Sequence, residues 1–466
     1  MHLHFIGICG TAMGNAALLI RALGHTVTGS DDNVYPPMST LLEEQGIAIG
    51  QGYHAEHLTP RPDLVVIGNA MSRGNEEVEA TLEQKISFTS LAELLQRAVI
   101  QGHESIVITG THGKTSTSSL AAWVFESAGL DPSFLIGGVP ENFHQGYKAS
   151  PNSPYVILEG DEYDTAFFDK RSKFLHYLPT TLIINNIEFD HADIFSSLDE
   201  IKLAFKRATL LVPRNGLIIA NGDDQNVQSV IANAPAPVET FGIGDACDWR
   251  ARDILFTDHS SRFALSHKGE REATLEIPLL GEFNVRNALA VAIAARRYDI
   301  AYDDIQHAFT TFASIKRRLE LKGAYNGVTV YDDFAHHPTA IRETLKALRQ
   351  RYPTERVIAI FEPRSNTTRR NIFQKELAEC FSDANVVFIS QIARLHLLSL
   401  DERLDPEKVM ADLKANGKEA YYLEDAATIA AKVGEIAKTG DVVIVMSNGN
   451  FGGIHEKLKQ ALKTTG

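Results

Sequence analysis

Ser105-Ile106-Val107-Ile108-Thr109-Gly110-Thr111-His112-Gly113-Lys114-Thr115 is an apolar run that breaks into a glycine-bearing loop. A helical pattern over Lys114–Ser127 follows. Strand, loop, Lys-Thr and helix in that order are what a phosphate-binding loop requires. The glycines let the backbone turn tightly and aim N–H groups inward, and the helix N-terminus adds partial positive charge. Lys114 is placed to reach the β- and γ-phosphates of ATP, and the Thr115 hydroxyl to bind Mg²⁺. The loop is shorter than the usual G-x-x-x-x-G-K-[ST] form, with only Thr111 and His112 between Gly110 and Gly113.

On either side of this loop, short β-rich runs alternate with helical patterns, the signature of parallel α/β units. Strands are predicted at Leu3–Ile8, His25–Gly29, Asp63–Ile67, Tyr155–Leu158, Thr181–Ile184, Gly216–Ala220, Val328–Asp332, Val357–Phe361, Val386–Ser390 and Val442–Met446. Short strands are expected within residues 238–277, and helices at Ala12–Leu23, Asn284–Arg297 and Thr339–Arg349. The expected organisation is three α/β domains: a Rossmann-like domain over residues 1–100, a P-loop ATP-binding domain over 101–314, and a second Rossmann-like domain over 315–466.

Two strands end in carboxylates, Glu159-Gly160-Asp161-Glu162-Tyr163-Asp164 and Asn185-Asn186-Ile187-Glu188-Phe189-Asp190-His191. Ligands of parallel sheets bind at the carboxyl ends of strands, so both clusters are expected beside the phosphate loop. Mg²⁺ prefers oxygen ligands; Glu159 is the candidate direct ligand, and His191 is expected to hold or orient a second ion. Lys206, on a helical pattern, reads as a solvated surface lysine.

In the first region, Gly7-Ile8-Cys9-Gly10-Thr11-Ala12-Met13-Gly14 approximates a dinucleotide fingerprint, although Cys9 stands where a glycine is usual. Ser30-Asp31 follows the second strand, where a ribose or base contact often sits. In the third region Arg317 and Arg318 lie at a domain junction, placed to close on ATP phosphates. Tyr331-Asp332-Asp333-Phe334-Ala335-His336-His337-Pro338 puts polar residues after a strand. Being adjacent, His336 and His337 cannot both face one zinc from one helix face, which favours hydrogen bonding to nucleotide or substrate. Arg364, with Ser365, is a candidate grip on a carboxylate.

Bulk properties narrow the class. The chain has 466 residues, a net charge of −14 and three cysteines, Cys9, Cys247 and Cys380. The acidic balance argues against a nucleic-acid binder. The cysteine spacing gives neither a disulfide framework nor a zinc pattern. No apolar run approaches the ~20 residues that span a bilayer. A cytoplasmic protein working on small molecules is expected, without nucleic acid, membrane or obligate protein partner.

The loop Gly110–Thr115, the Glu159 strand, Asp190-His191, Arg317-Arg318 and Asp332–Pro338 together resemble the three-domain Mur ligases, over essentially the whole chain. The stretches Tyr35–Leu42, Gly68–Asn75, Asp161–Tyr177, Asn186–Phe195 and Glu362–Thr367 are similar to the peptidoglycan-recycling branch of that family. Relatives that add L-alanine typically carry Asp-Glu-Ser-Asp where Asp161-Glu162-Tyr163-Asp164 stands here. The resemblance implies an ATP-dependent amide ligase that joins a murein tripeptide to UDP-N-acetylmuramate through an acyl phosphate, with ATP and two Mg²⁺ ions. It implies that Gly110, Thr111, His112, Gly113, Lys114, Thr115, Asn287, Arg318 and Asp333 serve ATP, with Asn287 near the adenine. Thr115, Glu159 and His191 would hold metal, and Lys114, His191, Glu159 and Arg318 would carry catalysis. Gly7, Gly10, Thr11, Gly14, Ser30, Asp31, Asn69, Ser72 and Arg73 would hold the UDP-sugar, leaving His336, His337, Arg364 and Ser365 for the amine substrate. Lys206 lies near a lysine that is carbamylated in some Mur ligases. Other readings are an L-alanine-adding ligase with the same chemistry, another member of the superfamily such as a folate-polyglutamate ligase, and a non-catalytic nucleotide-binding regulator. A Rossmann dehydrogenase would explain Gly7–Gly14 but leave Gly110–Thr115 without a use.

Overall fold

The computed structural model describes all residues except 37, 394, 396, 397, 465 and 466. Pro37, within the Tyr35–Leu42 stretch, therefore lies outside the described residues. The chain builds three main sheets in sequence order and a small separate hairpin of Asp164–Ala166 and Asp169–Ser172, whose turn residues Phe167 and Phe168 pack against the first sheet's region.

The first sheet is five-stranded and parallel, in the order Ala48–Gln51, Thr26–Asp31, His2–Ile6, Leu64–Ile67, Phe88–Ser90. Its chain order, with the first strand central, is the doubly wound pattern that leaves a crevice at the strand ends. The first strand stops at Ile6 rather than Ile8, because Gly7 takes φ +86° and turns the chain into the helix Thr11–Ala22.

The second sheet has ten strands. Its parallel centre runs Ser133–Leu135, Tyr155–Glu159, Glu104–Thr109, Thr181–Ile184, Leu217–Asn221, Val238–Gly242. These strands are apolar on both faces because helices cover both. Of residues 238–277, expected as short strands, Val238–Gly242 joins the parallel centre and Trp249–Phe256, Ser261–His267 and Glu270–Ile277 form an antiparallel meander. One core lies between the central sheet and the helices Lys114–Ser127, Glu282–Arg297 and Tyr302–Thr310, around Phe125, Leu289 and Phe309. The other face shares a continuous core with the first domain, from Leu3 and Leu19 to Leu158 and Phe205. Asn15 of the first helix donates to the Ile136 carbonyl across that seam.

The third sheet has six strands in the order Glu320–Tyr325, Val328–Asp333, Val442–Met446, Val357–Phe361, Val386–Ser390, Glu419–Leu423, parallel except for the first. Separate cores cover its two faces. The helix Pro338–Arg351 enters from His337, with proline at its first turn, where the missing N–H costs nothing. No helix among the described residues is long and apolar enough to cross a membrane.

Candidate active site

The loop between Glu104–Thr109 and Lys114–Ser127 is held in a shape only glycine permits. Gly110 has φ +135°, and a Cβ there would lie 3.0–3.2 Å from Asn185 and the Asn186 nitrogen. Gly113 has φ +81° and caps the helix, and its Cβ would lie 2.9 Å from the Asn287 amide oxygen. Asn186 closes the turn, accepting from the His112 N–H at 2.7 Å and donating back to the His112 carbonyl at 3.1 Å. The backbone N–H groups at the head of the helix therefore face a cleft of about 760 Å³ between the central and C-terminal domains.

Three carboxylates organise the floor. Thr115 donates to Glu159 at 3.0 Å, and the Gly137 N–H donates to the other Glu159 oxygen at 2.8 Å. Lys114 donates to both oxygens of Glu162, at 3.0 and 2.7 Å, and to the Gly110 carbonyl at 2.6 Å. The Glu162 oxygen that Lys114 meets at 3.0 Å also meets His191 Nε2 at 2.9 Å. Asp161 pairs with Lys173 at 2.6 Å.

The charges decide one another. Burial pushes the Glu159 carboxyl up, outweighing the Gly137 N–H and Lys114. Burial also opposes ionisation of Glu162, but Lys114 and His191 prevail and its pKa is lowered. For Lys114, burial is outweighed by Glu162 and Asp161, so the ammonium is held more firmly than usual. His191 follows the same logic: burial would lower its pKa, whereas Glu162 and Asp190 raise it. A raised Glu159 beside the Thr115 hydroxyl is the situation a divalent cation relieves, since both offer hard oxygen. The residues present thus fit Mg²⁺ at Thr115 and Glu159.

The third domain supplies the roof. Ser314, Arg317 and Leu319 all have positive φ, between +45° and +69°. This twist is fixed by Glu320, which accepts from the Arg317 N–H, and by Asp333, which accepts from the Leu319 N–H at 2.8 Å. Arg318 lines the cleft, its guanidinium 5.3 Å from the Phe334 ring centre. Arg317 turns away to the Gly449 carbonyl at 2.9 Å and Asp332 at 3.3 Å. Asp333 lines the cleft, but its carboxylate is occupied by the N–H groups of Leu319 and Ala335. It thus supports the Arg318 segment. His336 also lines the cleft, 3.8 Å from Asp190. Thr367 donates to Asp190 at 2.8 Å and Asn366 to Asp193 at 3.0 Å, joining this domain to the His191 loop.

Residues 2–103 match the Mur ligase family catalytic domain, 108–295 the Mur ligase middle domain, and 317–449 the Mur ligase glutamate ligase domain. The chain is 46% identical over 463 residues to the UDP-N-acetylmuramate–L-alanyl-gamma-D-glutamyl-meso-2,6-diaminoheptandioate ligase of Escherichia coli (strain K12), covering 99% of this chain and 98% of that protein. The chain belongs to the Mur ligase family. A murein peptide ligase from Psychrobacter arcticus 273-4 superposes with a TM-score of 0.75 at 39% identity, over 100% of this chain and 99% of that one. The UDP-N-acetylmuramate–L-alanine ligase of Acetivibrio thermocellus is 34% identical over 96% of this chain and 93% of that protein.

Elsewhere in this Mur ligase the expected site residues divide. Gly10 and Thr11 open the first helix and are exposed, with no side chain capping it. Gly7 sits beneath the Met71 methyl group, and Gly14 packs on Met38. Asn69 is half-buried, and Ser72 and Arg73 are exposed. Two of the expected side chains already have protein partners. The Ser30 hydroxyl is fully buried and donates to Glu77. The Asp31 carboxylate accepts from the Cys9 N–H at 2.9 Å and the Asn33 N–H at 2.8 Å, so it shapes the glycine turn. Arg73 is paired with Glu79 at 2.9 Å. In the third domain Arg364 is exposed and lies against Gly449, and Ser365 bonds Thr368, so neither lines the cleft. His337 is buried and faces the central domain. Lys206 is exposed on the helix Leu198–Thr209. Glu162, which links Lys114 to His191, was legible only as one acid among several in the Asp161–Asp164 cluster.

Proposed function

We propose that the chain couples the α-amine of L-alanyl-γ-D-glutamyl-meso-diaminopimelate to the lactyl carboxylate of UDP-N-acetylmuramate, at the expense of ATP, in peptidoglycan recycling. The observation that carries the substrate assignment is the 46% identity, along almost the whole chain, to a ligase named for that tripeptide, against 34% for one named for L-alanine. The chemistry rests on the Thr115–Glu159 and Lys114–Glu162–His191 contacts beneath a cleft roofed by Arg318.

ATP lies along the cleft, its phosphates over the N–H groups that Gly110 and Gly113 leave open and its adenine near Asn287. Thr115 and Glu159 would hold one Mg²⁺ and His191 would orient a second, and ions bound there would supply neutralisation of phosphate charge. A lactyl carboxylate oxygen attacks the γ-phosphorus as the bond to ADP breaks. Two anionic partners must meet, so Lys114 exchanges part of its hold on Glu162 and the Gly110 carbonyl for phosphate oxygens, and Arg318 offsets charge from the other side. The amine then attacks the acyl carbonyl, the bond from that carbon to the phosphate oxygen breaks, and the amine's proton passes to the departing phosphate. Water would consume the acyl phosphate, which is the physical reason for a roof that closes. The Gly7–Gly14 turn and the open head of the first helix hold the uridine diphosphate. The three cysteines are all free thiols, in keeping with a reducing cytoplasm.

UDP-N-acetylmuramate labelled with ¹⁸O in the lactyl carboxylate tests the reaction. One labelled oxygen should appear in released phosphate, and the amide product should carry the tripeptide. Unlabelled phosphate would exclude the acyl phosphate, and absence of the amide would exclude the substrate pair.

A further inference from the structure

His112, Glu188 and His337 come from three separate segments: the phosphate loop, the strand end after Asn185-Asn186, and the N-cap of the Pro338–Arg351 helix. Their ligand atoms all lie within 4.8 Å of one another. His112 Nε2 is 3.4 Å and His337 Nδ1 is 3.5 Å from the same Glu188 oxygen. In a tetrahedral site with metal bonds of about 2.0–2.1 Å, ligand atoms stand about 3.4 Å apart. Both measured separations already match that edge. The two rings are in contact, with centroids 4.5 Å apart.

The hydrogen bonds leave the right lone pairs. His337 Nε2 meets the Phe189 carbonyl at 3.2 Å, so it carries the proton and Nδ1 is the acceptor. A backbone carbonyl on the distal nitrogen is the usual outer partner of a metal-bound histidine. The Thr339 N–H reaches Nδ1 only at 3.3 Å, a weak bond that an ion would replace. His112 Nε2 is buried and faces Glu188 Oε2 at 3.4 Å, without a contact of good hydrogen-bond geometry among the described residues. Glu188 Oε2 accepts from the Thr339 hydroxyl at 2.6 Å, which still leaves it a second lone pair. Two imidazoles and one carboxylate are a set that suits zinc-like transition ions, whereas magnesium takes oxygen. His336, whose neighbour is Asp190, takes no part.

We propose that His112, Glu188 and His337 form a site for a divalent transition-metal ion such as Zn²⁺, distinct from the Mg²⁺ position at Thr115 and Glu159. His112 and Glu188 line the cleft, so a water or phosphate oxygen can complete the tetrahedron. The site joins the central domain to the C-terminal domain, and an ion there fastens the phosphate loop to the head of the Pro338–Arg351 helix.

The test uses full-length protein stripped of metal. Zn²⁺ uptake is measured by equilibrium dialysis with Mg²⁺ in large excess, and Co²⁺ binding by visible absorption. One equivalent per chain is expected, with the intense bands of four-coordinate Co²⁺. His337→Ala and His112→Ala should each weaken binding by about a hundredfold, since loss of a mere outer-shell partner costs about 10–100-fold. Zn²⁺ should raise the melting temperature of the parent protein and leave both variants unmoved. Should His337→Ala fail to fold, His112→Ala and Glu188→Gln carry the same test. No uptake by the parent, displacement by Mg²⁺, or undiminished uptake in folded variants would overturn the proposal.

Discussion

Glu162→Gln removes one charge and almost no volume from the contact between Lys114 and His191. Glu162 and Lys114 are both largely buried, with side chains 3% and 13% exposed. After the substitution the ammonium keeps the Gly110 carbonyl at 2.6 Å and the Thr111 carbonyl at 3.2 Å, but no carboxylate in contact. Removing one partner of a buried ion pair costs about 3–5 kcal/mol. The two surviving carbonyls and the new amide oxygen reduce that to about 2–3 kcal/mol. A three-domain chain does not unfold in one step, so the cost is best read locally, as amide hydrogen exchange of the helix Lys114–Ser127. At 1.36 kcal/mol per decade, exchange should accelerate about 30- to 150-fold.

The pH dependence of that difference is a sharper check. The Glu162 pKa is depressed below its ordinary 4.5, so its contribution is complete above that pH and vanishes as pH falls through the folded value. The His191 pKa is raised above its ordinary 6.5, so its share is complete below that pH and is lost as pH rises through the folded value. Lys114 is raised as well and stays charged, so the alkaline loss is confined to the His191 share. The difference between parent and variant should be greatest between about pH 4.5 and 6.5, vanish in acid and shrink in part in alkali. Exchange within threefold of the parent across this range, or a difference that grows in alkali, would refute the reasoning.

Thr367→Val keeps shape but deletes the hydroxyl that donates to Asp190 across the domain boundary. A hydrogen bond to a buried charge is worth about 1.5–3 kcal/mol, so turnover should fall and small-angle scattering should show a more open particle; an unchanged profile with unchanged turnover would contradict this latch. Gly113→Ala forces a methyl group into a φ of +81° and against Asn287. The backbone cost alone is about 1–2 kcal/mol, and ATP affinity measured calorimetrically should drop at least tenfold, whereas Gly129→Ala, also at positive φ but in open space, should spare ATP binding. Thr115→Val should raise the Mg²⁺ concentration needed for half-maximal phosphate release far more than the ATP requirement. A shift in the ATP requirement alone would remove Thr115 from the metal position.

The fold was legible where strands were continuously apolar and where a helix followed directly on the glycine loop. Lys114–Ser127, Thr181–Ile184, Val357–Phe361, Val386–Ser390 and Val442–Met446 have the bounds that hydrophobic pattern dictates. Three-residue strands such as Phe88–Ser90 and Ser133–Leu135 carry no period to detect, and they exist because a neighbouring strand offers its edge. Ala48–Gln51 and Glu320–Tyr325 contain Gly50 and Gly323, which weaken a strand signal. At the site, the phosphate loop could be read from local order because glycine, lysine and helix are contiguous. Which carboxylate turns to Lys114 is a tertiary matter: Glu162 and Asp161 are neighbours in sequence, yet one reaches Lys114 and the other Lys173. Ser30 and Asp31 were placed correctly at a strand end, but Glu77 and the Cys9 N–H, which occupy them, come from other segments.

The substrate assignment is most directly tested by phosphate release with ATP, Mg²⁺ and UDP-N-acetylmuramate, comparing L-alanyl-γ-D-glutamyl-meso-diaminopimelate with L-alanine as the amine. Strong release with the tripeptide and little with L-alanine is the expected result. Strong release with L-alanine and none with the tripeptide would contradict it.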